Sequence, residues 1–163
     1  MMRRVISVLL ENEAGALSRV AGLFSARGYN IEGLSVAPTD DESVSRMTIV
    51  TRGDDQIIEQ IIKQLRKLIE VIKVTDLSEG AHIEREMVLL KVQAESGEER
   101  AEVQRIADIY RSRIIDVTDA SFTLEVTGDS RKVQSLLELF EPSQVVEVVR
   151  TGTTAVGRGA RGM

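Results

Sequence analysis

Asn12-Glu13-Ala14-Gly15-Ala16-Leu17 is the stretch whose residue types and spacing best suit binding chemistry. It follows an apolar run at 5–10 and opens a run of helical spacing at 15–26. The first turn of a helix presents backbone N–H groups that no helical carbonyl satisfies. They carry the positive end of the helix dipole, so a carboxylate or phosphate is stabilised there. Gly15 has no Cβ, which lets a ligand approach the main chain. One reading is a seat for the carboxylate of a small amino-acid effector. The other is a capped helix start with Asn12 as N-cap and no ligand. Asn30, in Arg27-Gly28-Tyr29-Asn30-Ile31, offers a donor and an acceptor at the start of a strand. It can hold an amino group, but spacing alone favours an ordinary turn asparagine.

The remaining candidates are weaker. Asp40-Asp41-Glu42 places three carboxylates in a row without the spread of an EF-hand loop, and reads as a solvated hairpin tip. His82 is the sole histidine; no cysteine or second histidine is at hand to build a metal site with it, no Ser or Asp stands at a recognisable catalytic spacing, and it reads as a linker residue. The tail segment 157–162 matches G-x-G-x-x-G, but only Met163 follows where a helix is required, so the match is spurious. No nucleophile–base pair, paired catalytic carboxylates or phosphate loop emerges, so the chain is not read as an enzyme acting alone.

Positioning these residues requires a repeated set of elements. An apolar strand at 4–10 precedes the turn. Leu17, Val20, Ala21 and Phe24 then recur at helical spacing, and Arg27-Gly28 supplies a stop with glycine at the left-handed cap. Alternating strands are read at 30–37 and 44–51. A helix follows, carrying Ile57, Ile58, Ile61, Ile62, Leu65 and Leu68, and a fourth strand occupies 69–76. This is the β-α-β-β-α-β order, with both helices on one face of a four-stranded antiparallel sheet and nothing in the unit to cover the other face. After a polar linker at 78–84 the same order returns: strands at 85–93, 114–118, 122–127 and 145–149, a helix at 98–110 and a second helix carrying Val133, Leu136, Leu137 and Phe140. The fold class is therefore α+β, two ferredoxin-like βαββαβ domains at 1–77 and 85–151. The glycine-rich tail at 152–163 is read as flexible.

Composition agrees. Of 163 residues 42% are hydrophobic and 29% charged, with room for two small domains. A net charge of −5 and only 3% aromatic residues argue against a phosphate-backbone or base-stacking surface. No apolar run is long enough to span a bilayer, and the first residues read as neither signal nor transit peptide, so the expected location is the cytoplasm.

The order strand, Leu9-Leu10-Glu11-Asn12, Glu13-Ala14-Gly15-Ala16-Leu17, helix, Arg27-Gly28-Tyr29-Asn30-Ile31 resembles the amino-terminal half of an ACT domain. Many ACT domains carry proline before the glycine, where this chain has Ala14. Residues 3–13, Leu17-Ser18-Arg19-Val20, Ser45-Arg46-Met47-Thr48, Gln64-Leu65-Arg66-Lys67-Leu68 and Ile114-Ile115-Asp116-Val117-Thr118 resemble the small regulatory subunit of acetohydroxyacid (acetolactate) synthase, in the short bacterial form. The resemblance covers nearly the whole chain.

It implies a division of labour. In that family a large subunit binds thiamine diphosphate, Mg and FAD, and condenses pyruvate with pyruvate or 2-oxobutyrate in branched-chain amino-acid biosynthesis. The small subunit holds no cofactor, stimulates the large one and confers feedback inhibition by valine. Two ACT domains pair side by side and valine sits at their interface. Carried over to this chain, the valine carboxylate meets the N–H groups of Gly15, Ala16 and Leu17. Asn12 and the Asn30 of a second copy hold the polar end. Leu17, Ile31 and Val36 surround the isopropyl group. The implied partners are the large catalytic subunit and a second copy of the chain, without nucleic acid or membrane. The alternative is a free-standing ACT-type amino-acid sensor.

Overall fold

The computed structural model describes residues 1–163. Two compact units divide the chain: Met1–Ile83 together with Thr153–Met163, and Glu84–Gly152.

The first unit contains β1 (Met2–Glu11), α1 (Ala16–Ala26), β2 (Ile31–Pro38), β3 (Val44–Gly53), α2 (Asp55–Arg66) and β4 (Val71–Asp76), in sheet order β2-β3-β1-β4. All its pairings are antiparallel. Alternation decides the faces. Ile6, Val8 and Leu10 of β1 and Met47 and Ile49 of β3 point to the helix side. There they pack with Val20 and Phe24 of α1 and Ile58, Ile61 and Leu65 of α2. Asp54 caps α2, its side chain accepting the Ile57 N–H at 2.8 Å.

The second unit repeats the plan with β5 (His82–Gln93), α3 (Gly97–Ile109), β6 (Arg113–Val117), β7 (Ser121–Gly128), α4 (Ser130–Leu137) and β8 (Val145–Arg150), in order β6-β7-β5-β8. Its core joins Val88, Leu90, Val92, Phe122, Leu124 and Val126 of the sheet to Val103, Ile106, Val133 and Leu136 of the helices. A capping box closes the start of α3: the Ser96 side chain accepts from the Glu99 N–H, and the Glu99 carboxylate accepts from Ser96. The Glu99 carboxyl is held below its ordinary pKa by the backbone N–H groups of Glu95 and then Ser96.

The first helices of the two units, α1 and α3, end alike. After α1, Tyr29 N–H reaches the Phe24 carbonyl at 2.9 Å and Gly28 N–H reaches Ser25 at 3.2 Å, a Schellman motif with Gly28 at φ 69°. After α3, Ser112 N–H reaches Ala107 at 2.8 Å and Arg111 N–H reaches Asp108 at 3.2 Å. Here the left-handed residue is Arg111, at φ 53°. A Cβ in this region costs about 1–2 kcal/mol. Arg111→Gly is therefore expected to stabilise the second unit by about 1 kcal/mol after the entropy of the more flexible unfolded chain is deducted. A urea midpoint that is unchanged or lower would show that the arginine side chain contributes more than its backbone strain.

Two features depart from the sequence reading. The linker at 78–84 is mostly structured: Leu77–Glu79 is a 3-10 turn, with the Asp76 side chain accepting the Ser78 N–H at 2.9 Å, and β5 already begins at His82. The tail at 152–163 is not an unstructured appendage. Thr154–Gly157 forms β9, which pairs with β5, and Arg158 N–H donates to the Ala81 carbonyl at 3.0 Å. Ala155, 7% exposed, packs with Val5, Val50 and Leu77 on the sheet face opposite the helices. The Ser7 hydroxyl donates to the Met163 sulfur. The face expected to lack cover within the unit is thus partly covered by the chain's own end. Apolar side chains at Val5 and Val50 leave a surface for which a short strand with a small side chain is a fitting cover.

Candidate effector site

The turn at the end of β1 is held from two sides. Asn12 N–H donates to the Ser43 carbonyl at 2.8 Å, and the Asn12 carboxamide donates through Nδ2 to the Glu42 carbonyl at 2.9 Å. Asn12 therefore ties β1 to the loop before β3, and the reading that made it the N-cap is corrected. Gly15 is the N-cap, in the left-handed region at φ 86°, and no side chain caps the helix. Glycine tolerates this conformation without the clash a Cβ brings. The first turn of α1 carries no acidic residue either. Ala16 N–H donates to the Glu13 carbonyl at 3.3 Å, a long contact. Its methyl is in the core, so Ala16 anchors the turn. Leu17, 44% exposed, stands beside the helix end.

The charges around this end are mixed. Arg19, one turn into α1, pairs with Glu70 at 2.8 Å, and the Gly15 carbonyl accepts from Arg19 N–H at 3.0 Å. Glu13 beside Glu11 raises the Glu11 carboxyl above its ordinary pKa, chiefly by charge repulsion and a shared hydrogen bond; burial and Glu70 add to this. A negative rim thus adjoins a helix end that accepts negative charge. That combination suits a zwitterion better than a simple anion.

The other predicted residues lie on β2, the sheet edge. Asn30 precedes it, exposed, with its carbonyl accepting from Thr51 Oγ1 at 2.7 Å. Ile31 packs partly against the core, and Val36 is 40% exposed. The register gives their spacing. Ile31 pairs with Thr51 of β3, Val36 with Met47, and the end of β1, Glu11, with Val44. Thr51 and Val44 are seven positions apart along one strand, roughly 23 Å at 3.3 Å per residue. Asn12, Gly15, Ala16 and Leu17 thus gather at one end of the sheet, and Val36 lies nearer to them than Ile31 does. Asn30 and Ile31 lie at the opposite end. One protomer does not bring the predicted set together. Arg19, Glu13 and Glu70 belong to the environment of the turn and were not singled out from sequence; the basic residue four positions after Gly15 was the available signal.

No group of three or more His, Asp or Glu side chains is placed to hold a metal ion. No helix is long and apolar enough to cross a membrane. A βαββαβ unit with an uncapped glycine turn after its first strand, joined to a second unit of the same plan, has the architecture of an ACT-type chain. Comparison with known proteins specifies it further. Residues 6–73 match the model of the AHAS small subunit-like ACT domain, and residues 85–159 that of the small subunit of acetolactate synthase. The acetolactate synthase isozyme 3 small subunit of Escherichia coli is 55% identical over 159 residues, covering 97% of each chain. The probable acetolactate synthase small subunit of Methanothermobacter thermautotrophicus is 49% identical, covering 98% of this chain and 95% of its own. The crystal structure of the Thermotoga maritima small subunit superposes with a TM-score of 0.89 at 38% identity, covering 99% of this chain and all of that one. The chain belongs to the acetolactate synthase small-subunit family, the regulatory subunits of an enzyme complex.

Proposed function

We propose that this chain activates a thiamine-diphosphate-dependent acetolactate synthase large subunit in the cytoplasm and confers feedback inhibition by valine on it. The observation that carries the reading is the split of the site between two ends of one sheet. Two copies of β2 paired antiparallel about an axis near Leu34 would set Asn30 of one copy beside Pro38 of the other, toward the end that holds Asn12 and Gly15. An unpaired edge strand suits such an isologous contact. Valine would then lie between α1 of one protomer and the start of β2 of its partner. Its carboxylate would face the Gly15, Ala16 and Leu17 N–H groups, its ammonium would face Asn30 and the acidic rim, and its isopropyl group would lie among Leu17, Ile31 and Val36. Burial of so small a side chain contributes about 1.5–3 kcal/mol, so the charged ends must supply the selectivity for an amino acid.

Mixing the chain with its large subunit and measuring acetolactate formation with and without valine tests the reading. Stimulation that valine reverses is the expected result. A chain that binds valine but leaves the synthase unaffected would instead be a free-standing sensor. Asn30→Ala should raise the inhibition constant for valine by about 10–150-fold, as expected for a lost hydrogen bond to a charged group. An unchanged constant would remove Asn30 from the site.

A further inference from the structure

Arg46, on β3, lies on the sheet face opposite the helices, beneath the returning tail. Its Nη2 donates to the Ala155 carbonyl at 2.9 Å, whereas its Nε is buried without a hydrogen-bond partner. Arg4 on the neighbouring strand also has a buried Nε without a hydrogen-bond partner, but its guanidinium is paired with Asp55 and Asp76. A desolvated guanidinium without a counter-ion is costly, and burial lowers the Arg46 pKa accordingly. Arg46 borders a cavity of about 350 Å³ between this face and the tail. Lys73 and Thr75 of β4, Glu79 of the 3-10 turn, and Arg161 and Met163 of the tail also line it. Asp76 lines it too, but that carboxylate accepts from Ser78 N–H and faces Arg4 at 3.5 Å. Three cations therefore meet one carboxylate, Glu79, that is not already engaged. On its other flank Arg46 borders a wider hollow that reaches Asp40 and Asp41.

We propose that this cavity is a second binding site, separate from the turn at Gly15, in which Arg46, with Lys73 and Arg161, holds a small oxyanion, carboxylate or phosphate. The planar guanidinium fork matches both groups, and the free Nε supplies a donor that nothing else occupies. Arg161 and the Ala155 carbonyl belong to the tail, so an anion bound here ties the tail to the sheet. The site would respond to a second class of metabolite than the valine site, and does not depend on the valine reading.

The test is a titration of the full chain, followed by ¹H–¹⁵N spectra, with succinate and separately with inorganic phosphate, ionic strength being held constant with sodium chloride. Saturable shifts are expected at the amides of Thr75, Ala155 and Val156 for at least one of the two, and the response tells carboxylate from phosphate. Lys73→Met, at a side chain that bonds no part of the tail, should weaken that binding about tenfold or more, and Arg46→Met should abolish it. Shifts that do not saturate, that chloride alone reproduces, or that persist unchanged in Lys73→Met would overturn the proposal. Valine in the same titration reports on the other site: its failure to bind, with oxyanion binding intact, would count against the effector reading alone.

Discussion

Gly15→Asp is expected to abolish inhibition by valine while stimulation of the large subunit persists. The position is at φ 86°, where aspartate is among the few side chains that enter at modest cost. A Cβ there would lie 3.2 Å from Arg19 Nη1, the movable end of a flexible side chain. The introduced carboxylate can therefore be accommodated, and a negative charge at the start of a helix is favourable to the helix itself. What it removes is the seat for a second carboxylate, by repulsion and by occupying the N–H groups of the first turn. A coupling of about 1–3 kcal/mol between valine binding and stimulation corresponds to a roughly 5–150-fold effect on activity, which the variant should lose. Gly15→Ala is the necessary companion, since it carries at least the backbone strain of the aspartate without the charge. Valine inhibition retained in the alanine variant and lost in the aspartate variant assigns the effect to charge. Calorimetry that finds ordinary valine affinity in Gly15→Asp would remove the turn from the binding site.

Phe24→Ala is expected to destabilise the first unit by about 3–5 kcal/mol, a large share of what a domain of this size holds. Phe24 is 1% exposed, at the centre of the cluster between α1, α2 and the sheet. Its ring meets Tyr29 edge-on, with centroids 6.2 Å apart and planes at 80°. Truncation removes both the buried area and that contact, and leaves a hole beneath the helix whose start forms the Gly15 turn. Urea unfolding of the purified chain measures the loss. A change below about 1.5 kcal/mol would mean that α1 settles onto the sheet and closes the hole. Such a settled helix would also shift the turn, so valine affinity read in the same variant tells a local adjustment from a global loss.

Much of the architecture was legible because its signals are local and periodic. The spacing of Val20 and Phe24, and of Ile58, Ile61 and Leu65, marks helices with one buried stripe, and those residues are in the core. Arg27-Gly28 marks a helix end, and Gly28 does adopt positive φ. Arg111 performs the same task after α3, but an arginine at a left-handed position gives no sequence signal. Asn12 was open to reading as a cap because asparagine is a common one, yet its carboxamide is taken by the Glu42 carbonyl, thirty residues away. The tail was misread for a similar reason. Thr154-Ala155-Val156-Gly157 is too short and too rich in glycine nearby to show a period, and its strand exists only because β5 pairs with it and Val5, Val50 and Leu77 offer a surface.

The sequence alone thus determined the βαββαβ order within each unit, the helical stripes and the position of the glycine turn, because each depends on residues close together along the chain. The tertiary structure decided that Gly15 rather than Asn12 caps the start of α1, and that Asn30 lies at the far end of the sheet from it. It also decided that residues 153–163 partly cover the first unit's open face and leave Arg46 beneath them with a free donor. These are outcomes of pairing between distant segments, where register and competition for hydrogen bonds decide, and no local pattern encodes them.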